Sequence, residues 1–506
     1  MKHTSGFPVN DITSITLQVP HYLVNNYKLD DYWYNAIAIQ PFDYSSMENI
    51  SLRDNLTLNH ERFGGQPSIW MGQNTYLKVN GDREQKLKDL SVACDYPNNQ
   101  YSQILSNCDQ LTGYGENIVR YHTNARKWYF ISLPFDLKIS DIYNHHDAQY
   151  AIRYYDGKSR ASNGKNGNWK NYTSTDVIPA GTGFIFQTNI DVWNYFPAID
   201  NENKFVNSIG VTEFTKALDV NDSGTPSNKG WNLVGKPYQC YYNSHCLNFT
   251  APIIIWDANN MTYTAYSITD DDYAIRPNEA FFVQCPNEEY NTIGFPLQGR
   301  QLTANIESQN AVKAWMPKAI NRKVVNLSIS NGNMHDQTRV VLNEEASMAY
   351  EVNCDASKFM SLNSTVPQLY TIDDNGTQYA INERPIRDGI VGLGFYAGET
   401  GDYTISVSRC DAEQVFITDY LTGETTDITG STYTFSSKAG IYDTRLALHF
   451  VTNDATPIND VEKVDNIGKR EVYSVDGKLI GTNTNNLGAG VYVIRQNKKV
   501  NKVVIH

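Results

Sequence analysis

An internal repeat constrains this chain more than any other feature of its sequence. Three segments of one region return later in the chain in the same order, with spacings that differ by only a few residues. The aligned pairs are 128–135 (WYFISLPF) with 231–238 (WNLVGKPY), 152–156 (IRYYD) with 253–257 (IIIWD), and 178–186 (IPAGTGFIF) with 275–283 (IRPNEAFFV). Self-similarity of this kind is typical of a duplicated supersecondary unit.

Each copy of the repeat has the pattern of an antiparallel β-unit. A strand is stopped by proline, which cannot donate to a sheet ladder, and is followed by a strand that ends in aspartate. An aromatic strand, a Pro/Gly turn and a last apolar strand complete the copy. We therefore predict a duplicated β-sandwich unit over residues 121–300, with repeats at about 126–190 and 229–287. The two copies form either two β-sandwiches or the two halves of one.

Strand patterns also dominate the rest of the chain. Residues 323–330 alternate strictly and place Val325, Leu327 and Ile329 on one face, and about seven further short strands follow, separated by turn signals. The predicted fold class is all-β, with several antiparallel β-sandwich or jelly-roll domains in tandem and a small β-sandwich tail domain. The remaining predicted regions are a β-rich N-terminal region (1–120), a β-sandwich or jelly-roll (301–452), a linker (453–466) and the tail domain (467–506).

Composition excludes some classes of function. The 506-residue chain carries a formal net charge of −13, so it repels the phosphate backbone on which nucleic-acid affinity depends. It contains no apolar segment long enough for a transmembrane helix. The 34 tyrosines, 19 phenylalanines and 8 tryptophans favour strands, in agreement with the patterns above.

The cysteines leave two interpretations open. An odd number cannot pair completely within one chain. Cys94 with Cys108 and Cys240 with Cys246 are candidate local disulfides if the protein is exported, and isolated buried thiols are the alternative. The seven cysteines are Cys94, Cys108, Cys240, Cys246, Cys285, Cys354 and Cys410.

The end of the chain carries three short strand patterns with tight turns. They are 471–481 (EVYSVDGKLIG), 487–495 (LGAGVYVIR) and 499–505 (KVNKVVI). Asp476-Gly477 is a hairpin signal, and the glycines before Val491 permit positive φ. In this order the motifs resemble the C-terminal sorting domain of the type IX secretion system of Bacteroidetes (type A-like), over about the last 45–50 residues. The second repeat copy resembles, less specifically, segments found upstream of such domains in large Bacteroidetes surface proteins.

This resemblance implies an extracellular or cell-surface protein that is exported across the outer membrane. Its C-terminal domain would be recognised by the secretion machinery. Residues 1–8 lack the apolar run of a secretory signal. We therefore expect that a signal peptide has been removed or that the chain begins inside a longer gene product. The residues that match the sorting motif are Tyr473, Asp476, Gly477, Lys478, Gly490, Val491, Tyr492 and Lys502.

Motifs for catalysis are absent from the sequence. It contains no HExxH, GxSxG or P-loop pattern. His145-His146-Asp147 is typical of an exposed polar loop, and Cys354-Asp355 of a thiol at a strand end. We therefore expect a protein that is not an enzyme.

Two acidic turns are candidate calcium sites. Calcium requires several oxygen ligands, and extracellular calcium makes weak sites useful. The alternative is that Asp and Asn simply favour turns. The candidate ligands are Asp270, Asp271 and Asp272 in one turn, and Asp373, Asp374 and Asn375 in the other.

Aromatic residues at equivalent repeat positions are candidate ligand-binding residues. Exposed rings in a row would stack on sugar faces, whereas buried rings would form core. The four candidates are Trp169, Tyr172, Tyr263 and Tyr266.

The sequence thus predicts an exported, non-catalytic cell-surface protein that acts as an adhesin or as a binding or structural scaffold. Its expected partners are the secretion machinery and either a glycan or a host or bacterial surface protein. The alternative is the accessory, carbohydrate-binding portion of a secreted hydrolase.

Overall fold

The computed structural model divides into two compact units, Met1–Val451 and Thr452–His506. The boundaries predicted near residues 120 and 300 both fall inside the first unit, and the first of them lies within a strand. The structure describes residues 16–19, 28–29, 36, 38–41, 47–59, 63–80, 84–106, 111–113, 115–165, 167–199, 213–306, 322–385, 390–451, 471–474, 478–481, 490–496 and 499–505.

Regular structure in the described residues is almost entirely strand, which confirms the predicted all-β class. The first strands are β1 (Thr16–Val19), β2 (Ala38–Pro41), β3 (Asn49–Leu52), β4 (Leu56–Leu58), β5 (Ser68–Met71), β6 (Tyr76–Val79), β7 (Gln85–Leu87), β8 (Leu90–Asp95), β9 (Gln100–Tyr101), β10 (Gln103–Ser106), β11 (Leu111–Gly113) and β12 (Asn117–Thr123). In the described part of the chain, no helix is both long and apolar enough to cross a membrane.

The first of these strands lie in the region that was predicted only as β-rich, and most of their pairings are parallel. β3, β5, β8 and β12 pair side by side in parallel, as do β4, β6 and β10, and β7 with β11. Successive turns of chain are therefore stacked as in a parallel β-helix. Inward residues alternate with outward ones, and asparagines stack at one corner, where Asn80 Nδ2 donates to Asn59 Oδ1 at 2.8 Å.

The duplicated unit follows, and its two copies have the same topology. The first copy contains β13 (Tyr129–Ile131), β14 (Leu137–Lys138), β15 (Tyr143–Asn144), β16 (Tyr150–Tyr155), helix α1 (Gly157–Asn163), β17 (Trp169–Asn171), β18 (Val177–Ile178), β19 (Phe184–Thr188) and β20 (Val192–Pro197). The second contains β21 (Glu213–Ala217), β22 (Trp231–Gly235), β23 (Tyr241–Asn243), β24 (Ile253–Asp257), β25 (Thr262–Tyr266), β26 (Ala274–Ile275), β27 (Ala280–Gln284) and β28 (Thr292–Pro296), with β29 (Arg300–Gln301) after it.

The four-stranded sheets of the two copies agree in both strand order and register. Their orders are β13-β19-β16-β17 and β22-β27-β24-β25. Tyr129 pairs with Phe186 in the first copy, and Asn232 pairs with Val283 in the second, which are the aligned positions. Short 3₁₀ helices also recur, at Ile139–Asp141 and Ser244–Cys246, and others lie at Tyr96–Asn98 and Leu297–Gly299.

The two copies meet about an approximate two-fold axis. Ile131 bridges to Glu279, and the equivalent residues in exchanged roles, Val234 and Thr182, form the second bridge. Near the axis lie Ser132 and its equivalent Gly235, so close that a Cβ on Gly235 would lie 2.1 Å from that of Ser132. Only one of these two equivalent positions can carry a side chain.

The last strands of the first unit form one eleven-stranded sheet. It contains β30 (Lys323–Ser330), β31 (His335–Leu342), β32 (Ala356–Ser357), β33 (Gln368–Ile372), β34 (Gln378–Arg384), β35 (Ile390–Ala397), β36 (Gly401–Cys410), β37 (Gln414–Asp419), β38 (Glu424–Asp427), β39 (Thr432–Ser437) and β40 (Gly440–Val451). The sheet folds onto itself as a sandwich. This is shown by Phe395 on β35 and Phe435 on β39, which are distant in strand order although their ring centroids are 5.1 Å apart.

The second unit is a four-stranded antiparallel sheet of order β42-β41-β43-β44. Its strands are β41 (Glu471–Ser474), β42 (Leu479–Gly481), β43 (Gly490–Gln496) and β44 (Lys499–Ile505). They coincide with the strand patterns recognised in the sequence.

The axis contact generates a stability prediction. Replacing Gly235 with Ser forces two side chains into the space of one. We expect the free energy of unfolding to fall by about 1–3 kcal/mol. The exchange Ser132→Gly with Gly235→Ser should recover most of the loss, because the two positions are equivalent. Thermal unfolding measures both variants, with Gly401→Ala as control, since nothing lies within 4 Å of a Cβ there. A double variant no more stable than Gly235→Ser would contradict the symmetry.

Candidate ligand-binding surface

We call the stacked parallel strands β3 to β12 the parallel coils. The parallel coils and the first repeat copy share one seven-stranded sheet. Its order is β15-β20-β12-β8-β5-β3, with β9 paired to β8. Alternate residues face the core, such as Tyr121 and Phe196, so their neighbours along the strand face outward. We call the outward surface of β5, β8, β12, β20 and β15 the ring face. It carries Trp70, Arg120, His122, Tyr143, Trp193 and Tyr195.

Trp70 is held in one orientation by Arg120. The guanidinium carbon lies 3.5 Å from the centroid of the indole ring. Arg120 Nε donates to Ser91 Oγ at 2.9 Å, and Nη2 donates to the carbonyl of Met71. Burial disfavours the charged guanidinium and lowers the pKa of Arg120 to about 10. The indole itself remains 46% exposed.

Tyr143 and Tyr195 form an ordered ring pair. The residues are directly opposite each other on β15 and β20, and their rings stack at 4.8 Å with an angle of 9° between planes. The ring of His145 packs edge-on against Tyr195 at 4.6 Å. Tyr143 is 37% exposed, and partial burial raises the pKa of its hydroxyl.

His122 and Trp193 form a second ring pair. Their rings stack with centroids 5.0 Å apart on paired strands. His122 Nδ1 lies 2.9 Å from Asp95 Oδ1, and the buried Asp95 carboxylate also accepts from Gln73 Nε2 at 2.7 Å. The ring face therefore presents two stacked aromatic pairs and one tryptophan held by an arginine.

The four aromatic residues proposed from the repeat lie elsewhere. Tyr263 is buried, and its ring lies 4.7 Å from Trp256, while the ring of Trp169 lies 5.5 Å from Phe130. Both belong to the aromatic core that the repeat copies share. Tyr172 and Tyr266 are half-buried, and burial raises the pKa of each hydroxyl to about 12.

The ring face was missed at the sequence level, although one signal was present. Residues 192–197 (VWNYFP) alternate, and the structure buries Val192, Asn194 and Phe196. Trp193 and Tyr195 must therefore share the opposite face of a strand. Aromatic residues on the polar side of an alternating strand indicate a surface rather than a core.

In the first candidate calcium turn, each carboxylate already has a basic side chain as its partner. Asp270 pairs with Arg322 at 2.7 Å, and Asp271 pairs with Arg339 at 2.5 Å. Asp272 lies 2.8 Å from His245 Nε2. These pairs join the second repeat copy to the sandwich formed by β30–β40, which we call the C-terminal sandwich. A calcium ion at this turn would have to displace the basic partners.

The second candidate turn is a hydrogen-bonded hairpin turn. Asp373 Oδ1 accepts from the backbone N–H groups of Asn375 and Thr377, and Oδ2 accepts from the Tyr379 hydroxyl. Asp374 lies in the turn between these groups. Across the residues the structure describes, no three His, Cys, Asp or Glu side chains are grouped to hold a metal ion.

The residues of the sorting motif are distributed over the small sheet. Ser474 N donates to the carbonyl of Lys478 at 2.9 Å, which closes the turn between β41 and β42. Tyr473 lies in β41, Gly490, Val491 and Tyr492 lie in β43, and Lys502 lies in β44. Asp476 and Gly477 lie outside the described residues.

Buried thiols, rather than a disulfide, are observed at Cys240 and Cys246. Cys94 is also a buried free thiol, and its proposed partner Cys108 lies outside the described residues. Burial raises the pKa of the Cys94 and Cys240 thiols and keeps them protonated. His145 and His146 are exposed, as expected of a loop.

Asp355, next to Cys354, generates a pH prediction. Burial raises the pKa of its carboxyl from 3.8 to about 7. Between pH 4 and 7 the folded state therefore keeps a proton that the unfolded state releases, so stability falls as pH rises through this window, by about 4 kcal/mol. Asp355→Asn should reduce this slope in thermal unfolding curves. An unchanged slope would show that Asp355 is not the group responsible.

Comparison with known proteins identifies one family. Residues 128–450, more than half of the chain, match the family described as a domain of unknown function, DUF8693. The span begins just before β13 and ends at the last strand of the sandwich, so it contains both repeat copies. No curated protein and no solved structure matches the chain.

Proposed function

We propose that this chain, which belongs to the DUF8693 family, is an exported, non-catalytic cell-surface adhesin that binds glycans through the ring face. The observation that carries the proposal is the set of two stacked aromatic pairs and one arginine-held tryptophan on one sheet face. The C-terminal unit is its signal for secretion and anchoring, with the secretion machinery as partner. The protein therefore acts outside the cell or on its surface.

Aromatic rings grouped on one exposed surface favour a binding role for that surface. Contiguous apolar surface on a soluble protein commonly marks a binding site, and Trp, Tyr and Arg are enriched among residues that dominate binding energy. On the ring face, Trp70 and Tyr143 are 46% and 37% exposed. Because their orientations are already ordered by partners, they lose little conformational entropy when a ligand binds.

The spacing of the rings supports a glycan as the ligand. Arg120, Tyr195 and Tyr143 lie in one row across the strands, because Arg120 pairs with Tyr195 and Tyr195 pairs with Tyr143. Trp70 lies two residues off this row, at the level of Ile118, and the guanidinium of Arg120 reaches its ring. Neighbouring strands are about 4.8 Å apart, close to the length of one linked sugar ring, so β5 to β20 spans about 14 Å. A glycan of about three sugars laid across the strands would place its C–H faces on the rings. Ser91, opposite Trp70, and His122, opposite Trp193, lie on either side of this row and offer hydrogen-bonding groups for hydroxyls.

The tail supports export. Its motifs resemble the type IX sorting domain, and it forms a compact unit of its own. Its edge strand β42 exposes Leu479 and Ile480, at 54% and 46%. An edge strand with exposed apolar side chains is suited to pairing with another protein.

The same ring face would also serve the accessory carbohydrate-binding portion of a secreted hydrolase. In that case the catalytic domain would be encoded next to this chain in the same gene product. The binding surface would be unchanged, and only its attachment would differ.

Glycan binding is tested on a glycan array followed by titration of the best ligand. Trp70→Ala and Tyr195→Ala should each weaken binding about tenfold or more, because each removes a stacking ring. Tyr290→Ala is the matched control, since Tyr290 is 61% exposed but lies outside the ring face. Full binding by both ring-face variants would refute the proposal. If no glycan on the array binds and the ring-face variants instead lose binding to a surface protein, the partner is a protein and the glycan proposal is wrong.

Secretion is tested with a reporter protein fused to residues 452–506 in a Bacteroidetes strain with a type IX system. We expect the reporter in the medium or on the cell surface. Removing β44, whose seven residues all pair with β43, should retain it inside the cell. A reporter that stays inside despite the intact tail would remove the assigned export route.

A further inference from the structure

A pocket lies away from the ring face. It is a pocket of about 160 Å³ where β6, β10, β23 and β29 meet. Its charged lining residues are Lys78 and Arg300, and two leucines form the apolar part of its wall. None of the described residues that line it is acidic. In a chain with a net charge of −13, a pocket whose charged lining residues are both cations favours an anion.

Arg300 is oriented by the backbone. Its Nε donates to the carbonyl of Leu297 at 3.1 Å, and Nη1 donates to the carbonyl of Ser106 at 2.9 Å. Among the described residues, Nη2 has no hydrogen-bond acceptor. A fixed guanidinium with one nitrogen remaining is suited to one oxygen of a carboxylate.

Asn243 adds a second donor to the wall. Its Oδ1 accepts from the His245 backbone N–H at 2.9 Å, which fixes the orientation of the amide. Its Nδ2 is buried and has no hydrogen-bond partner. A buried donor without a partner costs about 1–3 kcal/mol, so a small movement of the wall toward a ligand acceptor would recover energy.

The size and the remaining lining define the rest of the ligand. A cavity of about 150 Å³ holds one six-membered ring. Gln298 and Thr303 line the same pocket and have side chains that hydrogen-bond hydroxyls. Only two cations are present, and Arg300 already shares two nitrogens with carbonyls, so a monoanion fits better than a phosphate dianion.

We propose that this pocket binds a sugar acid, with its carboxylate between Lys78 and Arg300 and its ring hydroxyls on Gln298 and Thr303. This site is independent of the ring face and of the glycan that binds there. The pocket would bind a single acidic sugar, whereas the ring face would bind a glycan by stacking on its sugar rings.

Isothermal titration of the full chain with D-galacturonate, D-galactose and inorganic phosphate tests the proposal. The two sugars differ only in the carboxylate, so galactose should bind about tenfold more weakly or worse. Phosphate should bind more weakly than galacturonate. Galactose binding as tight as galacturonate, or phosphate binding tighter, would overturn the assignment.

Variants locate the site. Lys78→Gln changes a partly exposed side chain and should weaken galacturonate binding about tenfold. Lys170→Gln, an exposed lysine outside the pocket, should leave it unchanged. Trp70→Ala should also leave it unchanged. Unaltered binding by Lys78→Gln, or lost binding by Trp70→Ala, would show that the sugar acid does not bind in this pocket.

Discussion

The contact between the two repeat copies is the constraint on which the first unit depends. The bridges Ile131–Glu279 and Thr182–Val234 join the two four-stranded sheets through equivalent residues. Around them, rings from both copies pack together, with Phe130 against Trp256. Backbone hydrogen bonds align the copies, and aromatic burial supplies most of the favourable free energy. Each copy therefore buries one apolar face on the other.

The ring face follows from this arrangement. Once the first copy is held, β20 and β15 extend the sheet that the parallel coils begin, and Tyr195 comes to lie beside Arg120. Half of the surface therefore comes from the matched family span and half from the coils before it. A surface assembled from two chain regions is held in place by the core beneath it, and this support preserves the spacing of the rings.

Polar interactions attach the C-terminal sandwich to the second copy. Asp270 and Asp271 reach Arg322 and Arg339, so the acidic turn serves as a joint between modules. Desolvation offsets much of the attraction in such pairs, but removing one partner leaves a charge unpaired in a partly buried site. The pairs therefore contribute specificity of orientation more than stability. Sequence reasoning could not distinguish this joint from a calcium turn, because the arginines that meet it are distant in the chain.

Local sequence patterns alone determined the all-β class, the repeat and the strand patterns of the tail, because alternation, prolines and turn residues act over neighbouring positions. Only the tertiary structure decided which strands are parallel, which aromatic residues are buried and which acids are paired. Strand direction and burial depend on partners far along the chain. Tyr263 and Tyr195 both lie in strands, yet the ring of Tyr263 is buried 5.8 Å from Phe130 of the first copy, whereas Tyr195 lies on the partly exposed ring face. The packing of whole sheets decides which side of a strand is covered.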